Sequence, residues 1–147
     1  MDDVLDHTVL LVEDNPDDAG FVQVAVERSG VPANLKIVRD AEEARAYLSG
    51  ADPFRDRTRF PQPVLILLDL NLPGASGIRF VEWLRQGEER RLIPVIALTG
   101  IVDYDVIKSA FSAGVNSYLL KPKEFAELEA ALRLALRYWL VLSSRPA

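Results

Sequence analysis

The sequence predicts an α/β fold built on a doubly wound sheet of five parallel strands with five flanking helices, and three observations carry that prediction. Short apolar runs alternate with stretches of helical periodicity along the 147 residues. The runs are apolar at successive positions, as strands covered on both faces are. Side chains able to do chemistry then follow the runs directly: Glu13 and Asp14, Asp69, Thr99 and Lys121. With right-handed crossovers, such a sheet binds its ligands beyond the carboxyl ends of its strands. These residues are therefore expected on one rim.

The elements follow in order. The first apolar run is Thr8 to Val12, and Asn15-Pro16-Asp17-Asp18 reads as a helix start, with a capping amide, a proline in the first turn and acids at the positive end. Phe21, Val22, Ala25 and Val26 supply that helix's apolar face, which Ser29-Gly30 closes. Leu35 to Val38 is the second strand, and a helix from about Ala41 to Leu48 follows. Ser49 to Gln62 is a long charged connection. Val64 to Leu68, five apolar residues in succession, is the third strand and ends in Asp69. Helices over Gly77 to Arg85, Asp103 to Ala113 and Glu124 to Leu142 alternate with strands over Ile93 to Leu98 and Ser117 to Leu120. No repeat, low-complexity tract or linker divides the chain, so residues 1–147 read as one domain with a core over about 8–142.

Composition narrows the function classes. The net charge of −5 argues against a nucleic-acid surface, which is usually basic. No apolar run approaches a membrane span, the acidic start MDDVLDH lacks the pattern of a signal peptide, and no cysteine is present. A cytoplasmic location and no membrane partner are the expectation. His7 is the sole histidine, which supports no histidine metal cluster and reads as an exposed N-terminal residue. No glycine-rich nucleotide loop occurs.

The chemistry follows from the rim. Carboxylates brought together repel one another unless a cation joins them, and oxygen donors suit a hard ion such as Mg²⁺, which leaves room for phosphate oxygens. Asp69, at the tip of a rigid strand, is placed as a nucleophile toward phosphorus. Lys121 would supply a point charge to phosphoryl oxygens, and the Thr99 hydroxyl and Gly100 amide would supply hydrogen bonds. Phosphoryl transfer consists mostly of positioning and charge neutralisation, which this set provides.

Glu13-Asp14, LLDLNLPGASG around Asp69, Thr99-Gly100 and Lys121-Pro122 resemble, in order and spacing, the motif set of a response-regulator receiver domain. The resemblance runs from Thr8 into the last helix. It implies a flavodoxin-like sheet of strand order 2-1-3-4-5, and phosphorylation of Asp69 by a sensor histidine kinase or phosphotransfer protein. It further implies Mg²⁺ (or Mn²⁺) held by Asp14, Asp69 and the backbone carbonyl of Asn71, with Glu13 nearby. Pro73 and Gly77 match the family's turn after the acceptor, and Tyr118 falls at its switch aromatic, coupled to Thr99. Ile101 is apolar where a polar side chain could orient an attacking water, so slow self-dephosphorylation is expected. The terminal YWLVL and the GADPF-type extension are similar to single-domain receivers partnered with bacterial and cyanobacterial phytochrome kinases, which implies a homodimer.

Two rivals fare worse. A haloacid-dehalogenase-type phosphatase needs an acid two residues beyond its nucleophile, where this chain has Asn71, and carries its nucleophile on the first strand. A pseudo-receiver that binds without phosphate would not need Asp69, Thr99 and Lys121 together. In the last helix, Phe125, Leu128, Leu132, Ala135 and Trp139 form the expected core stripe. A second stripe, Ala126, Ala130, Leu134, Tyr138 and Val141, reads either as a wide core arc or as a dimer or partner surface, the homodimer being expected through the helix four–strand five–helix five face.

Overall fold

A computed structural model of the chain describes residues 7–72 and 76–145. The elements are β1 (Thr8–Val12), α1 (Pro16–Arg28), β2 (Asn34–Val38), α2 (Ala41–Ser49), β3 (Leu65–Leu68) and α3 (Ser76–Gln86), followed by β4 (Val95–Thr99), α4 (Tyr104–Ala113), β5 (Ser117–Leu120) and α5 (Phe125–Leu136). All strand pairings are parallel, and the sheet order is β2-β1-β3-β4-β5, as expected.

Alternation along the strands splits the core into two layers. Val9, Leu11, Leu65, Leu67, Ile96 and Leu98 face α1 and α5, packing on Val22, Val26, Leu128 and Leu132. Leu10, Val12, Ile66, Leu68, Val95 and Ala97 face α2, α3 and α4, packing on Ala44, Phe80, Leu84 and Ala110. Both faces of β1, β3 and β4 are therefore buried, which is why their sequences are unbroken apolar runs. Helix starts follow side-chain chemistry: Asn15 accepts the amides of Asp17 and Asp18, Asp40 that of Glu43, and Asp103 that of Asp105.

Several expectations are corrected. β4 begins at Val95, because Arg90–Leu92 forms a 3-10 turn instead of leading straight into the strand. The last helix is α-helical only to Leu136 and continues as a π-helix over Arg137–Leu142. Its buried line is Leu128, Leu132, Leu136 and Leu140, with Phe125, Ala135 and Trp139 only partly buried against the same layer. A four-residue spacing overshoots the 3.6-residue α turn and falls short of the wider π turn, so the switch in winding brings Leu140 back to the core. The second stripe is exposed at Ala126, Ala130, Leu134, Tyr138 and Val141, which excludes a wide core arc.

The charged connection after α2 is also more ordered than its composition suggests. Phe54 is buried among the rings of Tyr47 and Phe60, and Arg57 donates to the carbonyls of Tyr47 and Phe54. His7 is half-buried, with Nε2 2.8 Å from the Arg145 guanidinium. Pro73 lies outside the described residues. Among the described residues no helix is long and apolar enough to cross a membrane.

Candidate functional site

Three backbone hydrogen bonds fix the rim. Glu13 donates its N–H to the Val38 carbonyl at 3.0 Å, Asp69 to Val12 at 3.0 Å, and Lys121 to Thr99 at 2.8 Å. Each of these residues stands one ladder bond beyond its strand, so its side chain leaves the sheet from a backbone still tied to a neighbouring strand. Thr99 is itself the last residue of β4 and fully buried. The turn after Asp69 is equally constrained. Asp69 Oδ1 accepts the Asn71 amide at 2.8 Å, an Asx turn that redirects the chain. A Cβ on Gly77 would lie 3.3 Å from Leu70 Cδ2 and 3.4 Å from its Cα, so glycine there lets α3 start close behind Asp69.

The side chains converge. Glu13, Asp14 and Asp69 each offer a carboxylate oxygen, all within 4.8 Å of one another. Glu13 and Asp69 are 2 % and 5 % exposed, while Asp14 and Asn71 are open to solvent, so a ligand can enter from one side. Lys121 Nζ lies 3.0 Å from Glu13 Oε1, 3.2 Å from Asp18 Oδ2 and 3.4 Å from Asp69 Oδ2. One ammonium thus serves three carboxylates.

The electrostatics record that imbalance. Burial pushes the Glu13 carboxyl up to about 7, and the neighbouring Asp69 adds to the shift against the opposing pull of Lys121. Burial alone would lower the Lys121 ammonium, but its hydrogen bond to Glu13 and the charges of Asp69 and Glu13 hold it above the ordinary lysine range. Oxygen-rich and short of positive charge, with Glu13 and Asp69 buried and Asp14 open to solvent, the Glu13–Asp14–Asp69 group fits a hard divalent cation.

A second group lies beside it. Thr99 Oγ1 accepts the Ile101 amide at 3.3 Å, and the Tyr118 hydroxyl donates to the Ile101 carbonyl at 2.8 Å. The two residues expected to be coupled therefore hold opposite ends of the same residue. Tyr118 packs against the α2–α3–α4 layer, and burial, then Asp103 and Asp69, raise its phenol. Gly100 is exposed with open space around its Cα, so the site does not require glycine there.

Asp18 is the member that sequence reading missed, having been taken only as an acid of the first helical turn. No local spacing marked it: Asp14 precedes the cap of α1, so no helical repeat links the two, and the partner of Asp18 lies 103 positions away.

Comparison with known proteins shows the family and the fold. The response regulator receiver domain family matches residues 9–133. Response regulator Rcp1 of Synechocystis is 32 % identical over 139 residues, covering 95 % of this chain and 92 % of that protein. The crystal structure of its Mn²⁺-bound form superposes with a TM-score of 0.84 at 32 % identity, covering 96 % of this chain and 99 % of that one. The phosphorylated cyanobacterial phytochrome response regulator RcpA superposes at 0.86 with 31 % identity, and the response regulator RPA3017 of red light signaling in R. palustris at 0.90 with 36 % identity. Both cover 96 % of this chain and 99 % of their own.

Proposed function

This chain belongs to the response-regulator receiver family of two-component signalling, and on that premise we propose that Asp69 accepts a phosphoryl group from a phosphohistidine donor. One observation carries the reading: the Asp69 carboxylate is fixed at the tip of β3, 3.4 Å from Lys121, with the oxygens of Glu13 and Asp14 beside it. In the transfer, an Asp69 oxygen forms a bond to phosphorus as the P–N bond to the donor imidazole breaks, and the imidazole leaves with the electron pair. Asp69 is the nucleophile and Lys121 neutralises charge on the phosphoryl oxygens. Glu13, Asp14, Asp69 and the Asn71 carbonyl would hold Mg²⁺ or Mn²⁺, which when bound offsets the charge of carboxylates and phosphoryl group together. The Mn²⁺-bound form of the relative Rcp1 and the phosphorylated form of RcpA support this assignment.

The output is a population shift. Thr99 turns toward the phosphoryl group and gives up the Ile101 amide, and Tyr118, bonded to the other end of Ile101, moves with it. Gly100, between Thr99 and Ile101, offers its amide to the phosphoryl group. The change is read on the α4–β5–α5 face and the π-helix that continues it, where Phe111, Leu120, Leu134 and Tyr138 are exposed, and where a second copy would dock to form a homodimer. The donor is a sensor histidine kinase or phosphotransfer protein, and the likeness to the phytochrome response regulator RcpA and to RPA3017 of red light signaling supports one of the phytochrome kind.

Incubation with acetyl phosphate and Mg²⁺, read by intact mass and by light scattering on a sizing column, tests this. Wild type gains one phosphoryl group only with the metal, Asp69→Asn gains none, and the apolar Ile101 makes the product long-lived. Absence of transfer both from acetyl phosphate and from a phosphorylated histidine kinase would overturn the reading.

A further inference from the structure

Lys121 is held by three carboxylates of unequal kind. Glu13 and Asp69 are buried and belong to the group that fits a cation. Asp18 does not: it comes from α1, its side chain is 40 % exposed, and no oxygen of it joins the metal-competent cluster. With a divalent cation between Glu13, Asp14 and Asp69, those carboxylates are shared with a stronger positive charge that also repels the ammonium. Asp18 is then the one partner of Lys121 left free of the cation. Resting on the phosphoacceptor reading above, we propose that Asp18 is a positioning residue, the place where Lys121 waits in the metal-loaded, unphosphorylated state and which it must leave to reach the phosphoryl oxygens.

Opposite effects on two ligands follow. Asp18 steadies the metal-loaded state by receiving the displaced ammonium, and it opposes the phosphorylated state by competing for the same ammonium. A side chain that merely supported the fold would, when removed, weaken both ligands. A carboxylate acting only as a distant negative charge would act whether or not Lys121 were present.

The experiment is a set of titrations on wild type, Asp18→Asn, Lys121→Met and the double variant. Mg²⁺ binding is followed by calorimetry, and beryllofluoride, a phosphoryl mimic, by fluorine NMR on metal-saturated protein. Asp18→Asn is expected to weaken Mg²⁺ by about two- to fivefold, the range of a partly exposed ion pair, and to tighten beryllofluoride by a similar factor. In the Lys121→Met background the same substitution is expected to leave Mg²⁺ affinity unchanged, because its effect runs through the ammonium. Unchanged Mg²⁺ affinity in Asp18→Asn, parallel weakening of both ligands, or a loss that persists without Lys121 would each overturn the proposal. Failure of wild type to bind beryllofluoride would instead strike the phosphoacceptor reading, leaving the Mg²⁺ comparison to judge Asp18.

Discussion

Two basic side chains enter this molecule at opposite ends of the sheet, and they are held in opposite ways. At the carboxyl end, Lys121 is shared among three carboxylates at 3.0 to 3.4 Å. At the amino end, Arg85 of α3 makes five hydrogen bonds, to the carbonyls of Arg91, Ile93 and twice Gly114, and to Asn116 Oδ1. None of them goes to an acid. Asn116 passes the restraint on, accepting the Val95 amide at the start of β4. A planar guanidinium with a fixed fork suits fixed dipoles, whereas a compact ammonium on a flexible stem can be exchanged between partners. The comparison teaches how this fold separates its tasks. The charge that braces strands is bound to backbone that does not change, and the charge proposed to act on the phosphoryl group is bound to groups whose own charge can.

The largest test substitutes each in turn. Arg85→Met strands carbonyls of the connections into β4 and β5 and is expected to cost about 3 kcal/mol of stability. In a chain this size that corresponds to about 6–12 °C in melting temperature. Phosphoryl uptake by the folded protein should persist. Lys121→Met should do the reverse, with uptake lost and stability changed far less, because Glu13 can take a proton once the ammonium is gone. Equal melting losses in the two variants would break the distinction.

A pH titration of stability sharpens it. The Glu13 carboxyl is raised from 4.5 to about 7 in the folded chain. Between those values the folded state keeps a proton that the unfolded state releases, so stability falls as pH rises. The contribution is fully present below about 4.5 and lost as pH passes 7, at most about 3 kcal/mol. Urea unfolding in chelator at pH 5 and pH 8 should show the decline. Mg²⁺ should flatten it by supplying the charge that ionised Glu13 lacks. Arg85 stays protonated across this window and adds no slope. A metal-free protein equally stable at both pH values would remove the case for a strained carboxyl at the rim.

How much of this was legible in the sequence divides along the same line. Most of the rim was legible because Glu13, Asp14, Asp69 and Lys121 follow strands and Thr99 ends one, and an apolar run that stops at an acid fixes the position and direction of that acid. Arg85 was not, since one arginine near a helix end looks like any solvated basic residue until its partners, from Gly114 and Asn116, are folded onto it. Asp18 was read as a helix-start acid, which it is, yet its turn toward Lys121 depends on a residue more than a hundred positions away. The π-helix escaped because periodicity in Leu128, Leu132, Leu136 and Leu140 is judged against one winding, and here the winding changes. The Phe54 cluster escaped because the charges around it masked three rings scattered over fourteen residues.

The smallest effect tests whether Thr99, Ile101 and Tyr118 form a coupled unit. Tyr118→Phe removes one hydrogen bond to Ile101 and is expected to cost about 1 kcal/mol. Thr99→Val removes the other, at a similar cost. Each acts on one end of the same residue, and either one alone still restrains it. Loss of both should therefore differ from the sum of the single losses by about 0.5 kcal/mol or more, as residues sharing a partner do. Tyr118→Phe combined with Arg85→Met should instead add, since the two share no partner. Denaturant midpoints of the two double variants decide the matter. If Thr99 and Tyr118 also add, Ile101 does not join them, and a signal from Asp69 must reach β5 by another route.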